Sequence, residues 1–486
     1  MKTTKLASCG TFIFALVLGM VLLGRPAGAQ TVPPILVPFN DFLQQVSRVA
    51  PTSYLAQSTS RVKTPAAFEE MRQHILAMYG GVSVRHSFLL GSDPYDCVPI
   101  MQQPSVRLRG LKSIATAPPS PPVPSGTRLS NPPATQTGQL RPGQTLDALG
   151  NSVICEEGTI PMRRITLEEL SRFETLQQFF QKGPNGAGFQ PHGQVGPPVA
   201  GPPHRYAISQ QNVANIGGGS VLNLWNPRVN TTADGPQAMS LSQQWYVAYL
   251  SSGAPQTAEA GWNVNPILYG GSTDTHLFIY WTADGYNTTG CYNLTCVAFV
   301  QVVKGNYFGG VFSQVSTDGG PQYEFTLEYF LYQGNWWLNI NGTWVGYYPG
   351  ALYNHGPLAT AASVIQYGGE TFGPTIWPPM GSGKFASSWW THAAYQRNIF
   401  YLASPTQAFW AILFSYAPSP SCYTDIIENN TRVTPWNTYL FFGADAHAPL
   451  CCENGVIAHW SSAGECGLEA QILLLAGSIT SAYSLI

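Results

Sequence analysis

From Tyr206 onward the chain is a succession of short β-branched and aromatic runs, each closed by Gly, Asn or Asp, and this texture constrains the fold more than any other feature. Such runs occupy residues 244–250, 276–282, 297–303, 324–333, 336–340 and 409–416. Many short strands with turn residues between them predict an all-β domain built as an antiparallel β-sandwich. No Gly-rich loop follows a strand and opens a helix, which argues against a nucleotide-binding α/β fold.

The upstream half is patterned differently. Two Pro/Gly-rich stretches, residues 117–142 and 183–203, can form neither a helix nor an interior strand and read as an insertion and a linker. Before and between them the spacing predicts two helices. Thr64-Pro65 opens the first, Phe68, Met71, Ile75, Leu76 and Met78 form its apolar face, and Gly80-Gly81 stops it. Thr166 and Glu169 form a capping box for the second, with Leu167, Leu170, Phe173, Leu176 and Phe179 on one side before Gly183-Pro184. At the N-terminus, Lys2 and Lys5 precede an apolar run at residues 12–23, and Ala27-Gly28-Ala29 supplies a cleavage site, so residues 1–29 read as a signal peptide. That run is shorter than the ~20 residues a membrane span needs.

Export changes how the cysteines are read. Cys9 leaves with the signal peptide, and Cys97, Cys155, Cys291, Cys296, Cys422, Cys451, Cys452 and Cys466 remain in an oxidising compartment, an even set that suits disulfides. Cys291 and Cys296 bracket four residues, which fits a hairpin staple better than a zinc ligand pair. Asn-x-Ser/Thr sequons at Asn230, Asn287, Asn293, Asn341 and Asn429 agree with a glycosylated surface. Charged residues are 10% of the chain against a usual ~25%. From His204 onward the only lysines are Lys304 and Lys384. The expectation is a fold that rests little on ionised carboxylates and therefore tolerates acid. A net charge of −2 gives no reason to expect a nucleic-acid partner. His276, His355, His392, His447 and His459 lack metal-type spacing, and no Ser sits in a Gly-x-Ser-x-Gly context, so no metal or cofactor is expected.

One ordered series of motifs is more specific. Ala258-Glu259-Ala260-Gly261-Trp262, Asn265-Pro266, Leu268-Tyr269-Gly270, then residues 277–282, Asp284-Gly285-Tyr286, Gly290-Cys291-Tyr292-Asn293-Leu294, Phe299-Val300-Gln301 and Tyr367-Gly368-Gly369-Glu370 together resemble the neprosin family. Tyr367 stands where that family usually has Trp, and Gly271 where Asp is more familiar. Tyr95-Asp96-Cys97-Val98 with Gln103-Pro104, and residues 155–164, are similar to the activation region that precedes the family's catalytic domain. Cys97 and Cys155 are then a possible pair, with connectivity left open.

The resemblance implies a secreted, extracellular glutamic peptidase of the prolyl endopeptidase type. Its organisation would be a signal peptide at 1–29, a partly helical α+β pro-segment at 30–182, a processing linker at 183–203 and a β-sandwich catalytic domain at 204–486. The expected partners are proline-containing polypeptide substrates and the chain's own pro-segment as inhibitor, in a monomer with no membrane or nucleic-acid partner. The family's two catalytic glutamates match Glu259 and Glu370. Their Gly, Ala and aromatic neighbours let a substrate backbone approach and would raise a carboxyl pKa by desolvation. Two carboxyls held apart in pKa can activate water and protonate the leaving nitrogen.

The same two-carboxyl logic also serves glycosidases, and a non-catalytic cell-wall or peptide-binding sandwich is the third reading. Trp262, Trp281, Trp336, Trp337, Trp344, Trp389 and Trp390 are candidates for lining a peptide cleft or for core. Residues 472–486 are expected to form a last strand. Acid is expected to loosen pro-segment contacts of Glu156, Glu157, Glu168 and Glu169, and the linker to be cut by the enzyme itself.

Overall fold

The computed structural model describes residues 35–125, 135–138, 145–182, 204–232, 238–373, 377–418, 422–431 and 435–443, with the backbone of 459–460 and 466–467. The signal peptide, the 183–203 linker and the 472–486 run lie outside the described residues.

The segment expected to be a pro-segment, and named so for its place in the chain, contributes α1 (Phe39–Arg48), α2 (Thr52–Leu55), α3 (Pro65–Tyr79), β1 (Ser87–Leu90), β2 (Asp93–Pro99), α4 (Pro104–Arg107), β3 (Thr135–Thr137), β4 (Thr159–Arg163), α5 (Leu167–Leu170) and α6 (Leu176–Phe180). Thr64 caps α3 by accepting from the Ala67 N–H at 3.2 Å, and Phe68, Met71, Ile75 and Met78 are buried. The capping box of Thr166 and Glu169 is formed. The single helix expected after it is instead two short ones, because Ser171 turns its carbonyl to the Arg61 N–H at 2.7 Å and Thr175 starts a second cap. The five apolar residues expected on one side are nonetheless all buried. Strands β1, β2 and β4 form a small antiparallel sheet stapled by the Cys97–Cys155 disulfide.

The rest is β-sheet: β5 (His204–Asn215), β6 (Gly217–Asn223), β7 (Met239–Tyr249), β8 (Pro255–Val264), β9 (His276–Thr282), β10 (Cys291–Tyr292), β11 (Val300–Gln301), β12 (Gln322–Tyr332), β13 (Asn335–Ile340), β14 (Thr343–Pro349), β15 (Ala362–Phe372), β16 (Ala394–Ser404), β17 (Gln407–Trp410), β18 (Phe414–Tyr416), β19 (Thr424–Glu428) and β20 (Tyr439–Gly443). A front sheet runs β10-β9-β8-β7-β15-β5-β18, and a back sheet β11-β14-β13-β12-β6-β16-β20-β19, with β17 on β16 and β3 parallel to the start of β12. The chain is therefore mostly antiparallel β, as the texture predicts.

Two expected strands are truncated. Of residues 297–303 Val300 and Gln301 form a strand on β14 and the Val302 N–H adds a bond to the Val345 carbonyl at 2.9 Å, while the Gln103 side chain donates to the Gln301 carbonyl and accepts from its N–H, both at 2.9 Å. Residues 409–416 split into the ends of β17 and β18, with Phe409, Ile412 and Phe414 exposed.

Alternation along β8 sends Ala258, Ala260 and Trp262 into the core between the sheets, against Phe325, Leu327, Tyr329 and Trp336. The opposite face of the front sheet is buried too, since Leu241, Trp245, Phe278 and Tyr280 share one apolar cluster with Phe68, Met71, Ile75, Phe173, Leu176 and Phe179 of the pro-segment. At ~1.5–3 kcal/mol for each large side chain removed from water, this shared cluster joins pro-segment and sandwich into one body, and residues 36–486 cluster as one compact unit.

Candidate active site

Register places the two glutamates. Glu259 on β8 pairs with Trp245 of β7, and Glu370 on β15 pairs with Leu241 of the same β7, so both project to the face under the pro-segment. Between them Gln243 of β7 sits opposite Gly261 of β8 and Gly368 of β15. Side chains are excluded at both glycines: a Cβ on Gly261 would strike the Ser242 and Gln243 backbone, and Gly368, at φ +136°, would strike Ala207. The floor between the carboxyls is thereby kept bare.

Into that gap the end of the pro-segment delivers a lysine. Lys182 Nζ donates to Glu259 Oε2 at 2.6 Å and to Glu370 Oε2 at 2.9 Å, with all three groups buried. Its ammonium also lies 5.0 Å from the Trp245 ring centroid, and the Tyr280 hydroxyl donates to the Phe180 carbonyl at 3.0 Å. A cavity of about 20 Å³ is left where this tail meets Met239 and Tyr292.

The partners of the two carboxyls within the sandwich differ. Glu259 accepts from Thr257 Oγ1 and the Tyr286 hydroxyl, both at 2.7 Å, and from Gln243 Nε2 at 3.0 Å. Glu370 Oε1 lies 2.6 Å from His204 Nδ1, and Tyr206 hydrogen-bonds the same residue. Burial pushes the Glu370 carboxyl up, but the Lys182 ammonium and His204 outweigh it and hold the group at about 2. The elevated pKa expected from apolar neighbours is thus reversed at Glu370 by a cation from outside the domain. With Lys182 in place Glu370 is held as a charged acceptor and offers no proton.

Other expectations fall elsewhere. Trp262 and Trp336 are sandwich core and Trp337 packs on Val106 and Tyr347, whereas Trp245, absent from that set, faces the glutamates. His276 is buried against Tyr269, its imidazole held near 4 chiefly by burial. His392 is a surface partner of Asp318, and His447 lies outside the described residues. The histidine at the site is His204, which no spacing singled out because its position follows from β5 pairing with β15. Lys182 had one weak signal: it is the last residue before the Pro/Gly linker. Asn293 is buried, its side chain accepting from the Ile279 N–H at 3.2 Å inside the Cys291–Cys296 loop, so that sequon is closed to a glycan in the folded chain.

Of the four acidic pro-segment residues expected to be acid-sensitive, Glu157 and Glu168 make exposed pairs with Lys304 and Arg172. Glu156 engages through its backbone carbonyl. Glu169 is buried on Arg163, yet burial pushes its carboxyl up, so protonation favours its folded state.

Residues 236–444 match the Neprosin family model, a span that runs from just before β7 through β20 and includes Glu259 and Glu370. The family points to a peptidase. No helix among the described residues is long and apolar enough to cross a membrane.

Proposed function

Taking residues 236–444 as a neprosin domain, we propose that the chain is the secreted precursor of a glutamic endopeptidase that cuts polypeptides at proline, with Glu259 and Glu370 as its catalytic pair. The observation that carries this reading is the Lys182 bridge: a stretch of polypeptide already lies over the two carboxyls, with its ammonium between them. A cleft that accepts a peptide chain in the precursor suits a peptide substrate better than a sugar.

Removal of the pro-segment takes away the cation and leaves two carboxyls facing one gap. Like charges at close range raise the pKa of one member, so one carboxyl ionises and the other keeps its proton in acid. The ionised member takes a proton from water as the oxygen attacks the scissile carbonyl carbon. The protonated member hydrogen-bonds the carbonyl oxygen and then passes its proton to the leaving nitrogen. Thr257, Tyr286 and Gln243 orient Glu259, and His204 and Tyr206 orient Glu370.

The test is Glu259→Gln and Glu370→Gln in the full-length chain. Each is expected to fold, to lose at least ~10³-fold in turnover of a proline-containing peptide, and to stop acid conversion of purified precursor within residues 183–203. The wild type should give a bell-shaped pH profile with its maximum in acid. Near-normal turnover by either variant would refute the assignment.

A further inference from the structure

The back sheet carries a second hollow, on the outer face away from the glutamates. It has a volume of about 180 Å³ and is lined by Glu328 of β12, Phe400 of β16 and Trp410 of β17, with Val123 and Pro124 of the pro-segment at its edge. Beside it Gly219 of β6 stands opposite Glu328 on one side and Phe400 on the other. A Cβ there would come within 2.8 Å of the Leu327 carbonyl oxygen and 3.1 Å of the Phe400 ring. Glu328 Oε1 is buried without a hydrogen-bond partner.

What already lies beside this hollow is proline-rich. Residues 104–124 cross the outer face of the back sheet, from Val106, Leu111 and Ile114 packed with Trp337 and Tyr347, past an Ala115 N–H that donates to the Tyr347 hydroxyl at 3.0 Å, to Pro124 at the hollow. Within this strap Pro118 and Pro124 are buried and Pro121 and Pro122 are half-buried, while Pro119, Ser120 and Val123 are exposed. Pro118, Pro121 and Pro124 stand three residues apart, the repeat of a polyproline II helix, and with Pro122 make up the less exposed side of the strap.

We propose that this face is an exosite for proline-rich polypeptide, its approach covered in the precursor by the strap and the face taken up in the mature enzyme by a stretch of substrate remote from the bond being cut. The proposal rests on the peptidase reading for its substrate but not for its binding chemistry. Prolines leave carbonyl acceptors without matching N–H donors, and aromatic faces pack on their rings. Phe400 and Trp410 supply the faces. Burial pushes the Glu328 carboxyl up to about 8, so in acid it is a neutral O–H donor with no internal acceptor. The strap lies N-terminal to the 183–203 linker, so cutting the linker frees the face along with the cleft.

The test uses a labelled peptide of residues 114–125 and fluorescence anisotropy. The protein is the Glu370→Gln chain, to prevent cleavage, matured by limited proteolysis in the linker and separated from the pro-segment by gel filtration in acid. The peptide is expected to bind the matured protein and not the intact precursor. Trp410→Ala and Glu328→Ala should each weaken binding about tenfold or more, and Glu328→Gln, which keeps a neutral donor, should stay within about twofold. In the active enzyme, Trp410→Ala should raise KM for a long proline-rich protein several-fold and leave a short peptide unchanged. Equal binding to precursor and mature protein, or binding indifferent to both alanine substitutions, would overturn the exosite. Binding as expected in a protein that cuts nothing would overturn the peptidase reading and leave the site standing.

Discussion

The pro-segment and the sandwich are held by different forces. In the N-terminal segment Arg164 pairs with the fully buried Asp96, Arg163 pairs with Asp93, and Lys182 closes the set on Glu259 and Glu370. The sandwich is packed from Trp262, Trp336, Tyr329, Phe325 and their neighbours, and among its own described residues Glu324–Arg397 is its buried Arg–carboxylate pair. A buried ion pair is fragile to loss of one partner or to protonation, whereas apolar packing is indifferent to pH. Under the proposed precursor reading, the region that would be released is the one tied by charge.

The sharpest way to break this contrast is Lys182→Met, which leaves two buried carboxylates without their cation. It should cost the precursor ~3–5 kcal/mol, read as a lower urea midpoint, and the uncut chain should begin to cleave short peptides. If it costs no more than a surface substitution, the charge-held picture is wrong. Trp336→Ala should cost ~3–5 kcal/mol as well, but equally in precursor and mature enzyme and equally in acid and at neutrality. A strong pH dependence of that loss would blur the two regions.

Acid should separate them further. Glu370 is held at about 2 against an ordinary 4.5, so its contribution, roughly 3 kcal/mol, is complete above pH 4.5 and is lost as the pH falls toward 2. Glu328 runs the other way: raised to about 8, it lets the sandwich gain stability as the pH falls from 8 to 4.5. Urea melts across pH should therefore show the precursor's advantage over the mature form shrinking below pH 4.5. The smallest effect belongs to Lys304→Ala, which removes an exposed pair with Glu157 and should change stability by less than about 1 kcal/mol. A larger loss would mean that surface charge also holds the pro-segment down.

The expectation of a fold resting little on ionised carboxylates holds for the sandwich and fails at its interface with the pro-segment. Counting lysines from His204 onward could not find a cation that arrives from residue 182. The strands under the two glutamates were similarly quiet: β8 and β15 are rich in Gly and Ala where they cross the site and lack the dense aromatic runs that mark β9 and β12.

Local chemistry was legible because it acts over a few residues. The α3 cap, the Thr166–Glu169 box, the Cys291–Cys296 staple, the strand texture and the motifs around Glu259 and Glu370 are all written in neighbouring positions. Tertiary structure decided the rest: that β7 sets the two glutamates on one face, that Gln243 lies between bare glycines, that His204 meets Glu370, and that Lys182 joins both carboxyls. Each of these is a contact across 14 to 188 residues of chain, fixed by sheet register and by one shared apolar cluster, and register is a property of paired strands that no single strand carries.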